Sequence, residues 1–238
     1  MFSYIAVMQY QHLFFDLDHT LWDFETNSKL TLEDLFETHQ LRTKLTNDFE
    51  LFYKTYSVHN KKLWDRYHHG FIKQEELKWK RMWHTMLDFK CGDEKLAKLL
   101  SAEYLKILPS KKALFPYTIE ILNYLRNKHY KLHLITNGFE ITQRSKIKLS
   151  NIENYFTELI TSEVAMSLKP KKEIFEFALQ KTGATLQNSI MIGDNLDADI
   201  KGANNVGMDS VFVNHILEEV TEPCTYTIYH LKELENIL

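Results

Sequence analysis

The chain has 238 residues, a length that allows one large domain or a domain with an insert, and 44% of them are hydrophobic, enough for a core without disulfides. The formal net charge of −3 argues against a basic nucleic-acid binder, and 15 Phe, 12 Tyr and 4 Trp residues exclude a disordered chain. Only 7 Gly and 4 Pro residues disfavour a turn-rich all-β architecture. Two cysteines cannot make a disulfide framework, so we expect reduced thiols in a cytoplasmic protein.

The N-terminal segment, residues 1–12, is partly apolar but lacks a basic region and a small-residue cleavage site. It is therefore a poor candidate for a signal peptide, and translation could start at Met1 or at Met8. The chain has no run of 18 apolar residues, so we expect no membrane-spanning segment and no membrane partner. The first predicted strand, residues 12–18, follows directly and ends in acidic residues.

Residues 24–108 contain two glycines and none of the four prolines, a composition typical of helices joined by short turns. Apolar residues at helical spacing predict a first helix through residues 32–39, a second through 49–67 and a third over 73–88. Asp93 is expected to cap a fourth helix, which Pro109 ends. We therefore predict a four-helix cap domain at 23–109, inserted into a core domain.

The flanking segments alternate short apolar runs with helical patterns, which indicates βαβ units and a parallel sheet covered by helices on both faces. The predicted fold class is α/β, a Rossmann-like doubly wound parallel sheet, in a catalytic core made of residues 1–22 and 110–238. The predicted strands are 12–18, 131–138, 157–162, 189–195 and 210–214, and the predicted helices are 117–128, 140–149, 171–181 and 197–205.

Polar residues follow several of these strands. In an open parallel sheet, ligands bind outside the carboxyl ends of the strands, so such residues are site candidates. Crowded carboxylates repel one another, and a bound cation relieves that repulsion. Oxygen ligands without a Cys or His cluster favour Mg²⁺. The candidates at strand ends, together with the lysine before Pro170, are Asp16, Asp18, Thr136, Asn137, Gly138, Lys169, Asp194 and Asp199.

These residue types suit phosphoryl transfer. A carboxylate can attack phosphorus to form an aspartyl-phosphate, while a second carboxyl protonates the leaving oxygen and later activates water. A hydroxyl, backbone N–H groups and an ammonium can hold the phosphoryl oxygens. Each motif alone has an ordinary structural interpretation, since acidic residues also end strands and Thr-Asn-Gly also forms turns. Their joint placement at the ends of one predicted sheet favours a site for a small phosphate ester.

The segments DLDHT (16–20), ITNG (135–138), Lys169-Pro170 and GDNLDAD (193–199) resemble the four motifs of the haloacid dehalogenase-like hydrolase superfamily. The resemblance covers essentially the whole chain, including a helical cap after the first motif. It implies that Asp16 is the nucleophile and Asp18 the general acid/base. Thr136 would be the phosphate-binding hydroxyl and Lys169 the ammonium that steadies nucleophile and phosphate, and we expect Asn137 and Gly138 to bind phosphate as well. The implied Mg²⁺ ligands are Asp16, Asp194 and the backbone carbonyl of Asp18, with Asp199 as a direct or outer ligand.

The presence of Asp18 favours phosphatases, because dehalogenases of this superfamily lack the second aspartate. The segments 63–82, 136–147 and 167–175 are similar to the branch that contains pyrimidine 5′-nucleotidases and N-acylneuraminate-9-phosphatases. The resemblance thus implies an Mg²⁺-dependent 5′-nucleotidase. The alternatives are a phosphatase for a sugar phosphate or a phosphoglycolate-type metabolite, and a catalytically quiet binding relative.

Substrate recognition is expected to involve aromatic and basic side chains near the entry to the site. Trp22 and Phe24 could stack on a base, and Arg81 could reach a ribose or a carboxylate. The competing interpretation is that aromatic residues at helical spacing belong to the core of the cap. We expect a small-molecule phosphate ester as the partner, no nucleic-acid polymer, and a monomer or homodimer.

Overall fold

The structure is a computed structural model that describes residues 10–238, so the expectations about the N-terminal segment and Met8 lie outside the described residues. The chain divides into two compact units. The α/β unit contains the described residues up to Phe24 and those from Ala113 onward, and the helical unit is Glu25–Lys112. These borders lie two and three residues from those expected for the inserted domain. No helix within the described range is both long and apolar enough to cross a bilayer.

The α/β unit is built on a six-stranded sheet in which every strand pair is parallel, in the order β3-β2-β1-β4-β5-β6. This is the doubly wound, Rossmann-like arrangement that the apolar runs predicted, with the first two strands adjacent. The strands are β1 (His12–Phe15), β2 (Lys131–Thr136), β3 (Phe156–Thr161), β4 (Ser189–Gly193), β5 (Asp209–Val213) and β6 (Tyr226–Ile228).

Helices follow the strands and flank the sheet, which is why the strands are continuously apolar. Every residue of β1 and of β4 is buried. The helices of the chain are α1 (Phe24–Thr38), α2 (Leu41–Lys44), α3 (Phe49–His68), α4 (Gln74–Asp88), α5 (Glu94–Ile107), α6 (Thr118–Asn127), α7 (Glu140–Leu149), α8 (Ser162–Ala165), α9 (Lys172–Thr182) and α10 (Gly202–Val206).

Two features of the α/β unit differ from the sequence expectations. β6 was not predicted, because it has only three residues and only Ile228 in it is buried, too little for a recognisable pattern. The predicted helix over 197–205 is instead a π-helical segment, Leu196–Lys201, that continues into α10. The Asn195 side chain caps this segment by accepting from the backbone N–H groups of Asp197 and Ala198.

The helical unit contains the four long helices that the periodicity predicted, with α2 as an additional short turn of helix. Phe36, Phe52 and Leu100 are fully buried in it. Asp93 is the N-cap of α5, as expected, and accepts a hydrogen bond from the Leu96 backbone N–H at 2.9 Å. Apolar periodicity therefore predicted these helices well, because one buried face per helix is enough to reveal them.

Candidate active site

The carboxylate of Asp16 lies at the centre of the candidate site. β1 ends at Phe15, and Asp16 is still tied to β4 because its backbone N–H donates to the Ile192 carbonyl at 2.8 Å. The side chain of Asp16 accepts a hydrogen bond from Lys169 Nζ at 2.5 Å. Only 8% of Asp16 is exposed, so the carboxylate has a fixed, largely dehydrated position at the carboxyl edge of the sheet.

Lys169 connects this carboxylate to a second one. Its ammonium also donates to Asp199 Oδ1 at 2.6 Å and to the Ile135 carbonyl at 2.7 Å, which uses its three protons. The backbone of Lys169 is held by Asn137, whose Oδ1 accepts from the Lys169 N–H and whose Nδ2 donates to the Lys169 carbonyl. The side-chain amide of Asn137 therefore positions Lys169, and the expected contact of Asn137 with phosphate stays a prediction.

Three carboxylates, those of Asp16, Asp194 and Asp199, have oxygens within 4.8 Å of one another. Burial, reinforced by Asp199 and Asp194, raises the pKa of Asp16 well above its usual value although Lys169 opposes the shift. Burial and the nearby Asp199 raise the pKa of Asp194 to about 8. Burial alone would lower the pKa of Lys169, but Asp16 and Asp199 raise it above its ordinary value. Three acids around one ammonium leave an excess of negative charge that fits a divalent cation.

Asp194 and Asp199 are held in different ways. Asp194 accepts a hydrogen bond from Thr20 Oγ1 at 2.8 Å. Both oxygens of Asp199 are used, one by Lys169 and the other by the Asn195 backbone N–H at 3.0 Å. A Cβ on Gly193 would lie 2.3 Å from Asp199 Oδ2, so the glycine permits this close approach. Asp194 thus has more room for a cation than Asp199, whose carboxylate supports Lys169.

The carboxylate of Asp18 does not belong to the acidic group found among residues 10–238. Its Oδ1 accepts from Lys146 Nζ at 2.6 Å, and its Oδ2 accepts from Gln143 Nε2 at 2.9 Å. The prediction that Asp18 contributes a metal ligand through its backbone carbonyl stays a prediction. Its side chain is separate from the cation cluster and is available for proton transfer.

Thr136 ends β2, and its hydroxyl oxygen accepts two hydrogen bonds, from the Gly138 backbone N–H at 3.1 Å and from Gln143 Nε2 at 2.8 Å. Since a hydroxyl has one proton and two lone pairs, both acceptor positions are filled and the proton is left to donate. The backbone N–H of Gly138 thus donates to Thr136, and the expected contact of Gly138 with phosphate stays a prediction. The Thr136 hydroxyl therefore has a proton that it can donate to an anionic ligand.

A model of the haloacid dehalogenase-like hydrolase family matches residues 10–207. The chain belongs to this family. Pyrimidine 5′-nucleotidase PynA of Streptococcus pneumoniae strain R6 is 32% identical to this hydrolase over 234 residues, which cover 97% of this chain and 96% of PynA. Pyrimidine 5′-nucleotidase YjjG of Escherichia coli K12 is 30% identical over 236 residues, 97% of this chain and 99% of YjjG.

Among solved structures, the HAD hydrolase YfnB of Bacillus subtilis matches this hydrolase with a TM-score of 0.87 and 28% identity, over 97% of this chain and 99% of that one. The YfnB crystal structure contains bound magnesium. Haloacid dehalogenase-like hydrolases generally use Mg²⁺, and the carboxylate cluster of Asp16, Asp194 and Asp199 is consistent with that use. The family membership and the site together identify this hydrolase as a phosphatase of the haloacid dehalogenase type.

The three expected substrate-contacting residues have different environments. Trp22 is fully buried, and its Nε1 donates to Ser150 Oγ at 3.2 Å, so its expected stacking on a substrate base finds no exposed ring face. Phe24 is partly exposed at the start of α1 and lies beside the His19 ring. Contact between Phe24 and substrate stays a prediction.

Arg81, the third of these residues, is buried within the helical unit, where only 3% of it is exposed. Its guanidinium donates to the Leu77 carbonyl and to Asn60 Oδ1 and lies over the Tyr104 ring. These contacts explain a buried arginine without a ligand, and a ribose or carboxylate contact by Arg81 stays a prediction. They also explain why the polar Asn60 interrupts the apolar stripe of α3.

Sequence analysis missed two residues of the candidate site, Gln143 and Lys146. Both missed side chains lie on α7 and are buried, although glutamine and lysine are usually exposed. Their spacing of three places them on one helix face, the face directed at the site. Two polar residues on the buried face of the helix after the second motif were the signal that could have revealed them.

Proposed function

We propose that this phosphatase is an Mg²⁺-dependent 5′-nucleotidase that hydrolyses pyrimidine nucleoside monophosphates through a phosphorylated Asp16. The observation that carries the chemistry is the buried Asp16 carboxylate, hydrogen-bonded to Lys169 within an acidic cluster. The substrate class is supported by the similarity to PynA and YjjG over nearly the whole chain. Both relatives are pyrimidine 5′-nucleotidases.

Asp16, Asp194 and the backbone carbonyl of Asp18 would hold the cation. When bound, Mg²⁺ would neutralise charge on the phosphoryl oxygens and on the carboxylates, so that an anionic nucleophile can approach an anionic substrate. Lys169 and the Thr136 hydroxyl would donate hydrogen bonds to phosphoryl oxygens. Asp199 and Asn137 would keep Lys169 in place through the contacts described above.

In the first step an oxygen of Asp16 attacks phosphorus, and the bond from phosphorus to the ester oxygen breaks with its electron pair going to the leaving oxygen. Asp18 donates its proton to that oxygen, which releases the nucleoside as a neutral alcohol. In the second step Asp18 takes a proton from water as the water oxygen attacks phosphorus. The bond to Asp16 breaks, inorganic phosphate leaves, and both carboxyl groups return to their starting states.

A panel of phosphate esters tests this proposal. With Mg²⁺ present, kcat/KM is expected to be highest for pyrimidine nucleoside 5′-monophosphates, lower for purine nucleotides, and lowest for sugar phosphates and phosphoglycolate. A preference for one of the small metabolites would replace the nucleotidase assignment with the alternative phosphatase. Absence of turnover on every ester, with and without Mg²⁺, would instead indicate a binding relative of the family.

A matched pair of variants tests the role of Asp16. Asp16→Asn should release no product and should form no phosphorylated protein detectable by mass spectrometry. Asp197→Asn is the control, because Asp197 lies in the same motif segment as Asp199 but pairs only with Lys201 among the ion pairs of the described chain. Full loss in Asp16→Asn and retention in Asp197→Asn support the nucleophile assignment, and wild-type turnover in Asp16→Asn rejects it.

A further inference from the structure

We propose that Lys146 and Gln143 form an orienting pair that holds the Asp18 carboxyl in the direction needed to protonate the leaving group. The inference rests on the proposed function, because that function assigns the proton transfer to Asp18. Lys146 and Gln143 touch neither phosphorus nor the leaving oxygen in this scheme. They act through Asp18 and are therefore positioning residues.

Lys146 and Gln143 each donate a hydrogen bond to a different oxygen of the Asp18 carboxylate. Lys146 donates to Oδ1 and Gln143 to Oδ2, at 2.6 and 2.9 Å. Separate donors on both oxygens fix the plane of the carboxyl group as well as its position, which one hydrogen bond cannot do. Since β1 and β2 are adjacent, α7, which follows β2, lies beside the loop that carries Asp18.

Lys146 is itself held rigidly. Its side chain is only 3% exposed, whereas the side chain of Asp18 is 22% exposed. The Lys146 ammonium lies 4.3 Å from the Trp22 ring centroid and 5.4 Å from that of Phe24, a cation–π arrangement. The Trp22 ring is fixed in turn by its hydrogen bond to Ser150, the residue directly after α7. The partly exposed carboxylate of Asp18 is therefore hydrogen-bonded to the buried ammonium of Lys146, which is packed against two aromatic rings.

Gln143 links the proton donor to the phosphate-binding hydroxyl. Its amide nitrogen donates one proton to Asp18 and the other to Thr136 Oγ1. The amide oxygen of Gln143 is buried and has no hydrogen-bond partner among the described residues. An unpaired buried acceptor destabilises the folded protein. An amide that serves two site groups at this cost is arranged for those groups and not for general stability.

Gly138 has a role in this arrangement. A Cβ at position 138 would lie 2.3 Å from Gln143 Nε2 and 2.5 Å from its Cδ. Any larger residue there would push the amide away from Asp18 and Thr136. The need for glycine in the second motif is thus explained by the path of the Gln143 side chain.

The test separates orientation of a proton donor from structural support by varying the leaving group. A nucleoside 5′-monophosphate releases an alkoxide that needs a proton, whereas 4-nitrophenyl phosphate releases a stable phenolate that does not. Single-turnover release of each product in the presence of Mg²⁺ reports only the first step. Lys146→Met is compared with Lys146→Arg, which keeps the charge, and with Lys148→Met, an exposed lysine of the same helix.

Lys146→Met should lower the rate constant for nucleoside release by about tenfold to a hundredfold, part of the 10²–10⁴ that general acid catalysis contributes. Its KM and its rate of nitrophenol release should change little, Lys146→Arg should recover most of the loss, and Lys148→Met should match the wild type. Equal losses on both esters, or no loss on either, would overturn the orienting role.

If Lys146→Met does not fold, a second variant and a double-mutant comparison still test the proposal. Gln143→Leu leaves the ion pair of Lys146 with Asp18 intact but also removes a donor to Thr136, so it should lower the release of both products and lower nucleoside release more. In an Asp18→Asn background, the loss specific to nucleoside release should disappear, so that Gln143→Leu lowers the release of both products equally. A loss specific to nucleoside release that persists in this background would contradict coupling through Asp18. If the wild type releases neither product, the proposed function fails. If the wild type is active and these variants equal it, only the orienting pair fails.

Discussion

The α/β unit and the helical unit bury polar side chains in different ways. In the α/β unit, buried charges of both signs contact one another, as Asp16, Asp199 and Lys169 do. In the helical unit, all of which is described, Arg81 is the single buried charged residue, and the other buried polar side chains are neutral. Thr31 and Thr85, for example, donate to carbonyls one turn earlier in their own helices.

Surface charges in the helical unit form pairs along one helix, such as Glu76 with Lys80 and Glu94 with Lys98. Exposed pairs of this kind contribute little to stability, and burying an ion pair rarely adds stability over an apolar replacement. The α/β unit therefore retains a costly arrangement that its core does not need. This contrast is consistent with the proposed function, in which the buried charges of the α/β unit take part in phosphoryl transfer.

The largest expected effect belongs to the nucleophile. Asp16→Asn should reduce phosphatase turnover to the background rate, because an amide cannot form the phosphorylated intermediate. A matching substitution of a buried polar residue in the helical unit, Thr85→Val, should leave hydrolysis of 4-nitrophenyl phosphate at the wild-type rate. Equal losses in both variants, measured as kcat with Mg²⁺, would remove the contrast between the units.

Lys169→Met should destabilise the protein by about 3–5 kcal/mol, the cost of leaving buried carboxylates without their counter-charge. Asp16 and Asp199 would both lose the ammonium on which they depend. The measurement is urea unfolding of the metal-free protein followed by circular dichroism. Lys172→Met, an exposed lysine at the start of α9, is the control and should unfold like the wild type. A Lys169→Met protein as stable as this control would contradict the prediction.

A smaller effect is expected on the acid stability of the α/β unit. Burial, helped by His12 and Lys131, lowers the pKa of His133 to about 3. Between pH 6.5 and 3 the unfolded chain therefore binds a proton that the folded chain excludes. The contribution of the neutral His133 side chain to stability is therefore complete above the pKa of histidine in the unfolded chain. It falls as the pH is lowered toward the folded pKa, by at most about 1.4 kcal/mol per pH unit.

His133→Phe should flatten this dependence in urea titrations between pH 7 and pH 5. His129→Asn is the control, since it removes an exposed histidine from a position with φ of 65° that asparagine tolerates. An unchanged slope in His133→Phe would show that another group carries the acid sensitivity.

The smallest effect is expected from a helix cap in the helical unit. Asp93→Ala removes the side chain that accepts from the Leu96 N–H and should cost about 1 kcal/mol of unfolding free energy. Turnover of 4-nitrophenyl phosphate should stay at the wild-type level, because the Asp93 side chain caps only the N-terminus of α5. Asp93→Asn should restore the lost stability, and a failure of this rescue would indicate that charge, not capping, is responsible.

Several parts of the fold were predictable because their signals are local. β1 and β4 are short apolar runs, each followed directly by an aspartate, and α3 shows an apolar stripe along one face. β6 escaped prediction because three residues carry no period. The π-helical segment Leu196–Lys201 escaped because its cap and the close approach of Asp199 to Gly193 come from side-chain contacts that periodicity does not encode.

The candidate site was predictable as a set of residue types at strand ends, and less so as a set of contacts. Asp16, Lys169 and Asp194 meet as expected. The contacts of Asn137 with Lys169 and of Gly138 with Thr136 and Gln143 were not predicted, and the expected contact of both residues with phosphate stays a prediction. An amide can pair with an anion or with backbone groups equally well, so the residue type alone does not decide between them.

Local sequence patterns were enough to predict the alternation of strands and helices, the helical insert and the order of the acidic and basic motifs, because each depends on neighbours along the chain. The contacts between charged side chains depend on the tertiary structure. Lys146 and Asp18 are 128 residues apart and meet only because β1 and β2 pair in parallel, which brings α7 beside the loop after β1. Contacts of this range depend on strand order, and strand order is set by packing of the whole sheet.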